Sequence, residues 1–235
     1  MPVDPKAPIE ISAFAWVPPF AQGVVRDLRV RWALEEAGLP YRERLLDALS
    51  PRPDDYFAEQ PFGQVPIFTE GPIRMFESGA IVLYIAERSD TLMPLEPVGR
   101  TRALSWVVAS LNSIEPMVME LAGIDIFNAD ADWAKARRPE VVRKVRERLG
   151  RLSAWLGERD WLEDRFTVGD LMMCTMLRIL RDTDLVAEHP NLAAYQARCE
   201  ARPAFGRALA AQCAPFQTHA PAAKRPEPLT LSGDR

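Results

Sequence analysis

Cysteine and histidine are scarce in this chain of 235 residues: three of one and two of the other. Cys174, Cys199 and Cys213 are odd in number, widely separated and not in a C-x-x-C pair, which excludes a disulfide framework and a redox dithiol. His189 and His219 stand alone, without the ligand spacing of a metal centre, so no metal is expected. A basic excess is lacking too. The formal charge is −4, whereas a nucleic-acid groove calls for surplus lysine and arginine. No uninterrupted run of about 18 apolar residues occurs, and the N-terminal stretch MPVDPKAPIE has no apolar signal-like core. The expectation is a soluble, cytoplasmic protein that binds neither membrane nor nucleic acid.

What is present is apolar patterning, with 48% hydrophobic residues, enough for a sizeable core. After a loose arm over residues 1–7, Ile9 to Trp16 alternate as a strand does. A turn with two prolines leads to a helix over Gln22–Ala37 that Gly38 stops, and a second strand follows near Arg42–Leu46. One helical turn is expected at Asp54–Glu59. A hairpin follows, with Ile67-Phe68 and Ile73–Met75 as its strands, and a helix opens at Phe76-Glu77-Ser78. From about residue 101 no strand pattern remains. Helices are expected over 101–123 (kinked at Pro116), 131–157, the capped segment after Thr167, 190–202 and 203–212. Trp155 is expected to face inward with Val141, Val145, Leu149 and Leu152, while the basic run RRPEVVRKVRER reads as a solvated helix face.

Two places carry chemistry. Val65-Pro66 puts a proline where a strand begins, which holds Val65 extended with its N–H and C=O free to pair outward. Glu77-Ser78 opens a helix, where free N–H groups and the positive dipole end favour an anion. A short extended peptide with an acidic end fits both.

Four segments, RVRWALEEAGLPY (29–41), PFGQVPIF (61–68), FESGAIVLYIAE (76–87) and FTVGDLMMCTML (166–177), together resemble the soluble glutathione transferase superfamily over roughly residues 9–212. The resemblance implies an N-terminal thioredoxin-like domain with a small mixed four-stranded sheet over 1–88, a linker over 89–100, an all-helical domain over 101–214 and a proline-rich tail over 215–235, assembled as a homodimer. It implies glutathione as co-substrate. Gln64, Val65 and a cis Pro66 would hold its cysteinyl part, and Glu77 and Ser78 its γ-glutamyl end. The partner substrate would be a small apolar electrophile lying among Trp16, Pro18, Phe20, Trp106, Leu111 and Phe127.

The chain departs from the family at the thiol-activating position. Between Ala13 and Tyr41 there is no serine or cysteine and no earlier tyrosine, and the place of the usual serine falls near Val24. Free N–H groups over Gln22–Val25 and the charge of Arg26 are the remaining means of stabilising a thiolate. The missing residue also keeps open a second reading, a glutathione-binding or interaction module with little conjugating activity.

Overall fold

The computed structural model describes residues 3–221. The first part of the chain forms a four-stranded mixed sheet in the order β2-β1-β3-β4, with β1 Ile9–Trp16, β2 Tyr41–Asp47, β3 Phe68–Glu70 and β4 Ile73–Met75. β1 and β2 run parallel because α1 (Asp27–Ala37) carries the chain back between them. β3 pairs antiparallel with β1 and with β4. The short α2 (Asp54–Glu59) precedes the loop to Pro66, and α3 (Ser78–Ala86) closes this part.

α1 begins five residues later than its apolar pattern suggests. Gly23 takes φ +77°, a left-handed conformation that breaks the helix and leaves residues 22–26 as turns. The N-terminal arm is not loose at Asp4, whose N–H donates to the Tyr41 carbonyl at 2.8 Å, while Val3 bridges to the same residue.

The second part is helical among the described residues: α4 Pro97–Ala109, α5 Glu115–Phe127, α6 Asp132–Leu156, α7 Val168–Ile179, α8 Pro190–Glu200 and α9 Pro203–His219. α4 starts inside the expected linker because the Glu96 side chain caps it, accepting from the Val98 and Gly99 N–H groups. Pro116 does not kink one long helix but follows a π turn over Ser110–Ile114 that joins α4 to α5. By length and composition the stretch Pro97–Phe127 could cross a membrane. Its stripe of Val107, Ile114, Val118, Leu121 and Ile124 is buried in the protein core, however, and it carries the buried, ion-paired Glu115.

α7 is buried along nearly its whole length, from Val168 to Leu177. Its start is a complete capping box, with the Gly169 N–H on Thr167 Oγ1 at 3.1 Å and the Thr167 N–H on Asp170 Oδ2 at 2.8 Å. The basic side of α6 faces solvent, where Arg137, Arg138 and Arg146 pair with Glu120, Asp125 and Glu188. Trp155 is 40% exposed and does not face inward, since its indole N–H reaches the Leu162 carbonyl and its ring lies under Arg102 and Arg159. α9 continues past the expected end at 212 and through Pro215 to His219, because Gln212 and Phe216 are buried on one of its faces. Only residues 215–221 of the expected tail lie within the described part.

Candidate functional site

The Val65–Pro66 peptide bond is cis. Behind it the chain is fastened to β1: Ser12 Oγ accepts the Ile67 N–H at 2.7 Å, and the Ser12 N–H donates to the Ile67 carbonyl at 2.9 Å. Tyr56 donates its hydroxyl to the Gln64 carbonyl at 2.6 Å, and Arg52 Nε donates to the Gly63 carbonyl at 3.2 Å. The segment around Val65 is thus tied down at Gly63, Gln64 and Ile67. Among the described residues nothing bonds to the N–H or C=O of Val65 itself, three residues ahead of β3.

Glu77 stands before α3 at φ +68°, the one non-glycine residue of positive φ among those described, at a cost of about 1–3 kcal/mol. It offers no side-chain cap to α3. The N–H groups of Ser78, Gly79 and Ala80 therefore have no acceptor within the described residues, and the helix start is open to an anion. Ser78 is buried, and its hydroxyl accepts from Arg29 Nη1 at 3.0 Å, which leaves the hydroxyl proton to donate elsewhere.

Arg29 is 3% exposed and sits in a charged cluster shared by α1 and α5. Its Nη2 reaches Glu115 Oε1 at 2.9 Å, and Arg26 approaches the same oxygen through Nε at 3.0 Å and Nη2 at 2.8 Å. Burial pushes the Glu115 carboxyl up, but the two guanidinium groups outweigh it and hold the group below its ordinary value of 4.5. Burial also lowers Arg29, partly offset by Glu115. The Glu77 carboxylate also acts on Arg29 through space, so the two guanidinium groups face two carboxylates.

Beside the cluster opens an apolar cleft of about 370 Å³. Phe14, Gln64 and Val65 line one side and Val24, Val25 and Arg26 another, and Met119, Ala122, Gly123 and Ile126 of α5 form the far wall. Phe20 and Phe127 meet edge to face across its mouth, ring centres 5.4 Å apart.

Gln64, Val65, Arg26, Phe20 and Phe127 of the sequence-derived candidates line the cleft, and Pro66 and Ser78 lie next to residues that do. Glu77, next to Ser78, does not line it either, and the other four candidates are placed elsewhere. Trp106 is turned away because α4 packs on α7 with its Cβ against Gly169, and its indole N–H bonds Glu163 at 2.6 Å. Leu111 packs on Gly79 at the start of α3. Trp16 lies in the β1 edge opposite Asp47, and Pro18 opens the turn over 19–21. Arg26 is not a free cation, since Glu115 engages it. Arg29, Glu115, Phe14 and the α5 wall were missed. The recurrence of Met119, Ala122, Gly123 and Ile126 on one helical face was the available signal for that wall.

Residues 21–87 match the N-terminal domain of glutathione S-transferases and residues 115–203 their C-terminal domain. The chain is 32% identical to maleylacetoacetate isomerase of Rhizobium meliloti (strain 1021) over 192 residues, covering 77% of this chain and 89% of that protein. It is 30% identical to a glutathione S-transferase of Silene vulgaris over 172 residues, covering 67% and 78%. Glutathione S-transferase F14 of Arabidopsis thaliana is matched at 30% over 62% of each chain, so about three fifths of that relative's length is spanned. Among solved structures, a glutathione transferase from Burkholderia graminis, with two glutathione molecules bound per subunit, superposes with a TM-score of 0.74 at 28% identity, covering 86% of this chain and 87% of that one. A theta class enzyme from Xanthomonas axonopodis pv. citri with glutathione bound gives 0.73 at 26% identity, covering 86% and 97%. Agreement at the level of both domains, the relatives and the fold leaves one assignment: the chain belongs to the glutathione S-transferase family.

Proposed function

We propose that the protein is a glutathione transferase that adds the glutathione thiolate to a small apolar electrophile. The observation that carries this reading is the unpaired main chain of Val65, next to a cis proline and lining an apolar cleft that also holds Arg29, the residue bonded to Ser78 at the uncapped start of α3. In this reading the cysteinyl peptide of glutathione pairs with Val65. Its γ-glutamyl carboxylate accepts from the Ser78 hydroxyl and the first N–H groups of α3, while Glu77 faces the α-ammonium group. Gln64 offers its side-chain amide to the same peptide.

The sulfur then falls at the turn before α1. Its proton leaves to water, the thiolate attacks the electrophilic carbon held between Phe20, Phe127 and the α5 wall, and a C–S bond forms as the leaving group departs. The low-polarity walls desolvate the acceptor and strengthen every electrostatic contact to the sulfur. The division into a thioredoxin-like part and a helical part, and pairing of two copies, belong to the same proposal.

Val24 stands where a serine is usual, and this favours a second reading, a glutathione-binding protein without efficient conjugation. Titration with glutathione followed by ultraviolet difference absorbance separates the two. A thiolate band near pH 7 supports the transferase, and binding without it supports the passive protein. No binding at millimolar glutathione refutes both.

Ser78→Ala removes one hydrogen bond to a charged carboxylate, so glutathione affinity is expected to fall by about 1.5–3 kcal/mol. Calorimetric titration measures it, and an unchanged dissociation constant rejects the assignment of Ser78.

A further inference from the structure

The turn from Pro18 to Arg26 has no hydroxyl, phenol or thiol, yet its main chain is gripped from the far end of the sequence. Arg181 donates Nη1 to the Gln22 carbonyl at 2.6 Å and Nη2 to the Phe20 carbonyl at 2.8 Å. Arg178 donates Nε to the Gly23 carbonyl at 2.8 Å. From α9, Gln212 donates Nε2 to the Val25 carbonyl at 3.1 Å and to Asp27 Oδ1 at 2.6 Å. Gly23 takes a left-handed φ here, and a Cβ there would lie 3.1 Å from the Arg178 Nη2 atom.

In a planar trans peptide the N–H points opposite to the C=O. Carbonyls of residues 20, 22, 23 and 25 drawn toward α7 and α9 therefore send the N–H groups of residues 21, 23, 24 and 26 the other way. Two of these are used inside the turn, Ala21 on the Pro18 carbonyl and Val24 on the Ala21 carbonyl. The N–H groups of Gly23 and Arg26 have no acceptor among the described residues, and neither has that of Val25. Val24, Val25 and Arg26 line the cleft.

We infer that Arg181 and Gln212 are positioning residues: by fixing the carbonyls of Gln22 and Val25 they hold the free N–H groups of Gly23 and Arg26 as the donors that stabilise a bound thiolate, in place of an activating side chain. The inference rests on the reading of Val65 and Ser78 as a glutathione site. It accounts for how a turn of apolar residues serves an anionic sulfur, since amides already aligned need no reorganisation when the charge forms. The charged groups around the turn and the cleft are Arg26 before α1, Arg29 on α1, Glu115 on α5, Glu77 before α3 and Arg178 on α7, with Asp27 behind the turn beside Arg31 and Gln212. None of these changes when Arg181 is replaced.

Arg181 is a partly exposed residue in the turn after α7, so Arg181→Met is expected to fold, which circular dichroism and thermal melting check. Thiolate absorbance of bound glutathione is titrated against pH for wild type, Arg181→Met and Arg181→Lys. The methionine variant is expected to raise the pKa of the bound thiol by about one unit, a tenfold change in the ionisation constant. Lysine, which keeps a donor, should recover most of it. Affinity for S-methylglutathione, which has no thiol, stays within about twofold of wild type because the peptide contacts are untouched.

Salt separates geometry from long-range charge: at 1 M KCl the screening length falls to about 3 Å, so a through-space effect of the Arg181 charge weakens and a positional one persists. A thiolate fraction equal to wild type, or a difference that vanishes in 1 M KCl, overturns the inference. Failure of wild type to bind S-methylglutathione is a different result, and refutes the glutathione site itself.

Discussion

Glu115→Ala should lower the unfolding free energy by about 3–5 kcal/mol, the range for breaking a buried ion pair by removing one partner. The cost comes chiefly from Arg29. That guanidinium is 3% exposed and keeps only Ser78 Oγ and the Met176 sulfur as partners once the carboxylate is gone. Arg26 is solvated enough to find water, so it adds little. A melting-point drop on the order of 10 °C is expected for a chain of this size. Arg29→Met combined with Glu115→Leu should recover most of the loss, because an apolar pair of similar volume removes the desolvation penalty instead of exposing it. A double variant no more stable than Glu115→Ala would show that the cluster is not the cause.

The same carboxylate sets a pH response. Its folded value lies below the ordinary 4.5, so its stabilisation is fully present above the unfolded value and is lost as pH falls through the lower folded one. Urea unfolding from pH 7 down to pH 3 should show wild type losing stability below about pH 5 more steeply than Glu115→Ala.

Asp170→Ala is the second large effect, about 4 kcal/mol or more, summed from several buried partners at about 1–3 kcal/mol each. Asp170 is fully buried. Oδ1 accepts the Leu162 N–H at 2.9 Å and the Tyr195 hydroxyl at 3.0 Å, and Oδ2 accepts the Thr167 N–H at 2.8 Å. Burial raises this carboxyl above its ordinary value despite those bonds, so its charge is costly to keep and its donors are costlier to abandon. Thr167→Ala, which removes only the capping hydroxyl, should cost about 1 kcal/mol. Equal losses for the two variants in urea unfolding would mean that Asp170 acts through the cap alone.

Features that depend on one short stretch were legible in the sequence. The bond before Pro66, the capping box at Thr167 and the start of α3 follow from proline, threonine and serine chemistry within a few residues. Features set by how helices rotate against one another were not. Trp106 reads as a pocket residue on its own helix, and only the close approach of Gly169 from α7 turns it away. The partners of Arg29 and of the turn carbonyls lie about 86 and 160 residues away in sequence, with no local signal at either end. Gln212 is the extreme case, an ordinary polar residue near an expected helix end that bonds the first helix of the fold.

That last contact bears on the order in which the molecule can be completed during synthesis. The strands and α3 leave the ribosome with the whole helical part still to come, and the turn ahead of α1 stays unbraced until α7 and finally α9 emerge. A circular permutant beginning at α4 would reverse this schedule, presenting the braces first and letting the turn set as soon as it is made.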